Sequence, residues 1–445
     1  MSPSGGSSAQ VGPAQMANRT HRPLISVVMS NYNGAAYLEA AIASLRIQSH
    51  TRLEILISDD ASTDESPQIL QRLASADPRI KPLFSAQNKG AGAARNAALD
   101  VAQGDWIAIV DADDLVHPKR LARLLKVAQD TGAHMVADDM VYFGALDRQR
   151  PNLLQGHHTV RSGQISLIDL IESDSHQSGT ASLGYLKPLI RADRLDGLRY
   201  DENLPIGEDF DFYFRLLRAG ADFRVIPDPM YLYRRHARST SHRLSSQALK
   251  QMIRAQQHLL SDPDAEQALN TRTQTAMRWR AASLKQLLRY QLLVDALKAR
   301  RWWSALKTLS RNPALINALS RSLSERRALR RTRKTPDSEG SSQTVLLAAP
   351  ADIASAAAAE GVVCLPVPPV DETASAPHAH HELAVALARL ASEGPLDILA
   401  IGPAGLDGLG YAPCWRSAEL MIDPALINEK RLPDGVTLKR PPPNT

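Results

Sequence analysis

Residues 107–114 read IAIVDADD, an apolar run that ends in three carboxylates, Asp111, Asp113 and Asp114. The run predicts a buried strand. Residues two apart on a strand share a face, so Asp111 and Asp113 point together into one pocket at the strand's carboxyl end. Carboxylates held that close repel unless a cation or a proton sits between them. They suit Mg2+ or Mn2+, in sites that share the metal with substrate phosphates. Taken alone, the stretch fits a solvated acidic turn equally well, because strand-end acids are common turn formers.

The preceding residues repeat the pattern. LISVVM at 24–29, LEILIS at 53–58, IKPLF at 80–84 and residues 106–110 predict strands. Between them, Ala36, Leu38, Ala41, Ile42 and Leu45 mark a helix, as do SPQILQRLA at 66–74 and small residues from about 92 to 102. Nearly all-apolar strands alternating with helices imply an α/β fold with a parallel sheet covered on both faces. Ligands bind beyond the carboxyl ends of such strands. Those ends carry Asn31, Asn33, Asp59, Asp60, Asp111 and Asp113.

The 445 residues predict two or three domains, and 44% hydrophobic with 22% charged residues is ordinary globular composition. Two cysteines, Cys364 and Cys414, make no disulfide framework. Residues 1–22 read as a disordered leader without signal-peptide features, and no stretch is apolar enough to span a membrane. Residues 278–334 carry sixteen Lys and Arg against two acids, Asp295 and Glu325. That surplus exceeds the net charge of +5, so the basic charge belongs to one region and points to an anionic partner such as a membrane or a nucleic acid. Trp279, Trp302 and Trp303 fall among these cations, which favours peripheral contact with anionic lipid over nucleic acid. A helical hairpin packed on the main domain is the equal alternative. Helical sequence at 244–334 leads to a linker at 335–343 and a small α/β segment at 344–445, with strands at TVLLAA, VVCLPV and LDILAIG.

Five motifs occur in order: SVVMSNYNGAAYLEAAIASL, ILISDDASTDES, NKGAGAARNAAL, IVDADDLVHPKRL and GEDFDFYFRLLRAG. Through them, residues 23–243, about half of the chain, resemble a family 2 glycosyltransferase of the GT-A fold. GYLKPLIRADRL and YDENLPIGEDFDF further resemble enzymes that build succinoglycan-type bacterial exopolysaccharides. The resemblance implies a Rossmann-like, mostly parallel sheet and a nucleotide-sugar donor, a UDP-hexose. It also implies Mg2+ or Mn2+, a lipid-linked saccharide acceptor and a cytoplasmic location, peripheral on the inner face of the cell membrane.

The resemblance also distributes roles. Asp59 and Asp60 meet the nucleoside, with Asn31 and Asn33 opposite. Asn88, Gly90 and Arg95 shape the nucleotide pocket, Arg95 having the alternative of a structural clamp on the acidic strand ends. Asp111 and Asp113 form the DxD motif that anchors a metal on the diphosphate. Arg234 and Arg235 close over that diphosphate, and His236 is a candidate third ligand. Asp209 is the general base of an inverting transfer, with Glu208 beside it orienting the acceptor or raising the Asp209 pKa. Two acids opening a helix also suit its dipole without any catalytic role. Asp64 and Asp114 suit helix capping, Asp114 also a supporting place behind the metal ligands, and Pro118 a first helical turn. Lys187 is acceptor-side or part of a plain turn. His378, His380 and His381 read as a solvated helix start. A non-catalytic sugar-nucleotide-binding or scaffold protein of a polysaccharide assembly complex is the second reading. A nucleotidyltransferase is disfavoured because SNYNGAAYL is no basic phosphate loop.

Overall fold

The computed structural model describes residues 22–144, 152–175, 180–236, 244–260, 269–313, 315–316 and 387, with five strands beyond residue 342. The histidines at 378–381 and most of the leader and linker lie outside the described residues.

The main sheet has nine strands: β1 (Ile25–Asn31), β2 (Leu53–Asp59), β3 (Ile80–Phe84), β4 (Trp106–Ile109), β5 (Leu115–Val116), β6 (Met135–Gly144), β7 (Gln164–Ile165), β8 (Leu189–Arg191) and β9 (Phe223–Arg235). Helices α1 (Ala35–Arg46), α2 (Ser66–Ala76), α3 (Ala91–Val101), α4 (Arg120–Thr131), α5 (Thr159–Ser162), α6 (Leu167–Ser173) and α7 (Glu208–Arg218) are interspersed, and α8 (Ser246–Leu260), α9 (Thr271–Lys298) and α10 (Trp302–Arg311) follow. The strand order is β3-β2-β1-β4-β8-β6-β9-β5, with β7 on β9. β1 pairs in parallel with β2 and β4, and β2 with β3. Every residue of β2 is buried, as a strand covered on both faces requires.

Beyond β4 the sheet becomes mixed. β8 runs antiparallel to both β4 and β6, whereas β6 and β9 run parallel to each other. Six strands (β1–β4, β6 and β9) therefore point the same way, so the mostly parallel expectation holds. β9 is interrupted: its pairing with β6 jumps from Ile226 to Tyr231 around Pro227 and Pro229, which have no N–H to donate. Opposite that break, Asp139 bulges out of β6 and turns its carboxylate inward to accept from the N–H groups of Met140 and Leu154 and from Asn152.

Burial pushes the Asp139 carboxyl up to about 7, against the Asn152 and backbone hydrogen bonds. A folded pKa above the unfolded value stabilises the fold fully below the unfolded pKa, and the contribution fades as pH rises through the folded one. The unfolding free energy of wild type relative to Asp139→Asn should therefore fall by on the order of 2 kcal/mol between about pH 5 and pH 8. A flat difference in urea titrations would show that Asp139 does not titrate there.

The hydrophobic core runs from β1 through β9 and extends into α9 through Ala276 and Met277. Arg280 of α9 bonds Asp174, and its guanidinium lies 3.7 Å from the Phe210 ring centroid. The first half of α9 is thus packed on the main sheet's helices, as the hairpin reading expects. A separate small cluster of Leu293, Ala296, Ala305 and Leu315 joins its second half to α10. No helix among the described residues is long and apolar enough to cross a membrane.

The last segment forms a parallel sheet of order β11-β10-β12-β13-β14, from β10 (Gln343–Ala348), β11 (Val362–Pro366), β12 (Leu396–Ile401), β13 (Ser417–Met421) and β14 (Val436–Lys439). The sequence pattern identifies the first three. The other two are short and carry Glu419, Thr437 and Lys439, which break up the apolar signal.

Candidate active site

Three groups of side chains meet at the carboxyl ends of β1, β2 and β4. The first surrounds the β1–β2 crevice. Asn31 donates to Asp59 at 2.7 Å, and the Ser62 N–H donates to the other Asp59 oxygen at 2.9 Å. Asn33, at φ 51°, accepts from the Thr63 N–H. Asp60 accepts from the N–H groups of Lys89 and Gly90 at 2.9 and 2.7 Å, and Asn88 donates to the Asp60 carbonyl. Both acids are buried and spend their oxygens shaping the pocket wall. The buried Asn31 Oδ1 has no hydrogen-bond partner among the described residues and lies close against Gly34, in space that a larger residue's Cβ would need. Asp64 accepts from the N–H groups of both Ala35 and Ser66, so it ties together the starts of α1 and α2 as well as serving its own helix.

The second group is an ionic cluster in which distant elements converge. Arg95, on the first turns of α3, donates to Asp111 at 2.8 Å and Glu208 at 2.8 Å, and reaches Asp209 at 3.5 Å. The Lys187 ammonium lies 2.9 Å from Asp111 and 2.8 Å from Asp209. Both cations are almost fully buried. Gly207, at φ 87°, supplies the left-handed turn that starts α7 and brings Glu208 and Asp209 back over β4. Tyr200 stacks on Phe212 and carries the Arg95 guanidinium 5.4 Å from its ring centroid.

The charges sort themselves accordingly. Burial alone would raise the Asp111 carboxyl, but Lys187 and Arg95 hold it down at about 2. Burial opposes the Lys187 charge, yet Asp111 and Asp209 keep the ammonium well above its usual range. Glu208 is pushed up by burial and by the neighbouring Asp209 charge, against Arg95. Like-charge repulsion thus registers on Glu208.

The sequence leaves Lys187 between the acceptor side and a plain turn, and its bridge between Asp111 and Asp209 is what sequence reasoning missed. Lys187 sits in no regular element, and its neighbour Pro188 reads as a turn. The structure clamps it instead. Tyr213 donates to the Leu186 carbonyl at 2.8 Å, and Arg120 donates to the Lys187 carbonyl at 2.5 Å while paired with Asp138. The one available signal was a lysine inside the closer of the two resemblances.

The third group lies toward solvent. Asp113, a third exposed, pairs with His236 at 2.9 Å. Arg234 donates to the Asp113 carbonyl and lies over Tyr37, and Arg235 stacks on Tyr142. Asp114 does not cap a helix, because α4 begins only at Arg120 and Pro118 precedes it. Its carboxylate is buried and accepts from the Tyr231 hydroxyl and the Arg234 N–H. The same Tyr231 oxygen accepts from the Asp111 N–H. Asp114 therefore stands behind Asp111 and Asp113, the other role expected of it, and is drawn there by the antiparallel β5–β9 pairing.

Among the described residues, no three His, Cys, Asp or Glu side chains gather as a ready-made metal site. The donor set still fits a divalent cation bound jointly with a substrate. Asp113 is pushed up by burial and by the Asp111 charge, against His236, which is the situation an added cation relieves. Mg2+ is commonly held by one or two carboxylates plus substrate phosphates.

Residues 26–185 match the family model for Glycosyl transferase family 2. Over 306 residues the chain is 31% identical to the succinoglycan biosynthesis protein ExoO of Rhizobium meliloti (strain 1021), covering 68% of this chain and 86% of that relative. The chain belongs to glycosyl transferase family 2. A second relative of this glycosyltransferase is the succinoglycan biosynthesis protein ExoU of the same organism, 31% identical over 255 residues, 55% of this chain and 73% of the relative. Among solved structures, S. aureus TarS 1-349 in complex with UDP-GlcNAc superposes with a TM-score of 0.45 at 16% identity, covering 64% of this chain and 90% of that one. The mixed, mostly parallel sheet of this glycosyltransferase, with helices between its strands, is the α/β architecture that the motifs implied.

Proposed function

We propose that this glycosyltransferase moves a hexose from a UDP-linked donor to a lipid-linked saccharide, with inversion, during assembly of an exopolysaccharide or other cell-surface glycan. The observation that carries the reading is the convergence of Asp111, Glu208 and Asp209 on Arg95 and Lys187. It joins the strand-end carboxylate that faces a donor diphosphate to the acids that face an acceptor. The names of the two succinoglycan relatives support the product class.

In this reading the nucleoside lies in the crevice walled by Asn31, Asn33, Asp59, Asp60, Asn88 and Gly90. Asp113, Asp111 and His236 would hold Mg2+ or Mn2+, which when bound stabilises negative charge on the departing diphosphate. Arg235 lies at the rim of the same site. Asp209 takes the proton from the acceptor hydroxyl as its oxygen attacks the anomeric carbon. The bond to the diphosphate oxygen breaks, and its electron pair leaves with the nucleoside diphosphate. A single displacement inverts the anomeric centre. Glu208 orients the acceptor through a hydrogen bond. The acceptor is met at the inner face of the membrane, where the enzyme is peripheral.

The test is release of UDP or GDP from a panel of nucleotide sugars, with Mn2+, Mg2+ or chelator, in the presence of lipid-linked acceptor extract. Chelator-sensitive UDP release is expected from one UDP-hexose. Tight UDP binding with no turnover of any donor would favour the scaffold reading.

A further inference from the structure

The α9–α10 corner presents an apolar ridge that the main core does not use. Trp302, Trp303 and Leu306 are 61%, 86% and 58% exposed, and Ile316 just beyond is 55% exposed. On a helix of 3.6 residues per turn, Trp302, Leu306 and Trp303 lie within an arc of roughly 100°, and Lys307 and Arg311 occupy roughly the next 80°. The adjoining side of α10, next to Trp302, is already satisfied, since Ala305 and Leu309 pack against Leu293 and Ala296 of α9. α10 therefore carries one wide apolar arc of roughly 160°, packed inward at one edge and exposed over the rest.

The charge around the outward side has one sign. From 296 to 316 the chain carries Lys298, Arg300, Arg301, Lys307 and Arg311 and no acid. The corner itself is built for this. Arg301 N–H bonds the Ala296 carbonyl and Arg300 N–H bonds the Leu297 carbonyl, the pattern that ends a helix with a left-handed residue. That residue is Arg300, at φ 54°. Glycine is the unstrained choice there, and any other residue costs about 1 kcal/mol. The chain places an exposed cation at the strained position, next to the two tryptophans.

From these observations we infer that the outward ridge of α10, with its basic rim, is the surface by which this protein docks on an anionic lipid bilayer. Indole and leucine side chains enter the headgroup boundary, and the cations meet the lipid phosphates. This deepens the membrane-contact part of the proposed function by naming its surface. It does not depend on the transfer reaction, because binding is read without donor or acceptor.

The experiment is sedimentation of the full-length protein with vesicles of phosphatidylcholine alone, or with about one-third phosphatidylglycerol, at low and high salt. Wild type is expected to sediment with the anionic vesicles at low salt, about tenfold more weakly with neutral ones, and to be released by high salt. Trp303→Ser/Leu306→Ser and Lys307→Glu/Arg311→Glu each should weaken binding about tenfold or more. Their unfolding temperature should not change, since these side chains are exposed. Wild type left in the supernatant with anionic vesicles overturns the inference, and so does ridge-variant binding equal to wild type. Loss of self-association in the ridge variant, without lipid binding by wild type, assigns the ridge to a second copy and also overturns it.

Discussion

Asp209→Asn is expected to lower glycosyl transfer by about 10³-fold, within the range that a positioned general base supplies, while leaving UDP binding at or above the wild-type affinity. The two halves have separate causes. The substituted amide keeps the shape of the side chain but accepts no proton from the acceptor hydroxyl. Binding should not suffer, because Asp209 is held by Lys187 and Arg95, whereas the Asn31–Asp60 crevice is built from contacts that do not include it. Removing its negative charge leaves the two buried cations facing fewer anions, which favours a diphosphate nearby. Nucleotide release and calorimetric titration with UDP separate the effects. Normal turnover by the variant would remove Asp209 as the base. Lost turnover together with lost UDP binding would place its role on the donor instead.

Lys187→Met is expected to be damaging in both stability and rate. The methionine approximates the length of the lysine stem but leaves Asp111 and Asp209 with Arg95 as their one remaining buried cation in the cluster. Breaking a buried pair by removing one partner costs about 3–5 kcal/mol, because the stranded charge stays buried. A drop in turnover of about 100-fold should accompany it, since the Asp111–Lys187–Asp209 bridge holds the donor-side and acceptor-side carboxylates at a fixed separation. The double variant Lys187→Met/Asp209→Asn distinguishes this from a simple packing defect. It removes one charge of each sign, so part of the lost stability should return, with a coupling of about 1–3 kcal/mol in urea unfolding. Additive losses would show that Lys187 and Asp209 do not act as a pair.

The two residues differ in how visible they are in the chain. Asp209 is legible because Glu208 and Asp209 open an amphipathic helix in a motif that stands in order with four others, and α7 does begin at Glu208. Lys187 gives no periodic signal. Its place is set by Tyr213, Arg120 and Asp138, which belong to three separate elements. Asp60 shows a second kind of difference. From the sequence this strand-end acid reads as part of a nucleotide crevice; in the fold both its oxygens are taken by backbone N–H groups of Lys89 and Gly90. Which partner a carboxylate takes depends on chain folded back from about thirty residues away, beyond any local pattern.

The sheet divides in the same way. β1, β2 and β4 are largely apolar runs separated by helical periodicity, because parallel strands buried on both faces need that composition, whereas β3, at the sheet's edge, is half exposed. β5, β7 and β8 have two, two and three residues, too short for a period to show, and β9 is broken by Pro227 and Pro229. The basic helical region was legible as charge and tryptophan, with membrane contact and packing on the main domain as equal alternatives. The structure packs the first half of α9 on the main core and turns the α10 ridge outward.

By itself, the sequence determined the parallel half of the sheet, the family, and the set of acids at the strand ends. Hydrophobic pattern and motif order are local properties and survive without coordinates. Only the tertiary structure decided that Asp111 is neutralised by Arg95 and Lys187 and that Asp113 is left to His236. It alone put Asp114 behind them on Tyr231. The physical reason is that charge state and reach depend on which side chains share a buried volume. That sharing is set by strands and helices up to 123 residues apart in the chain.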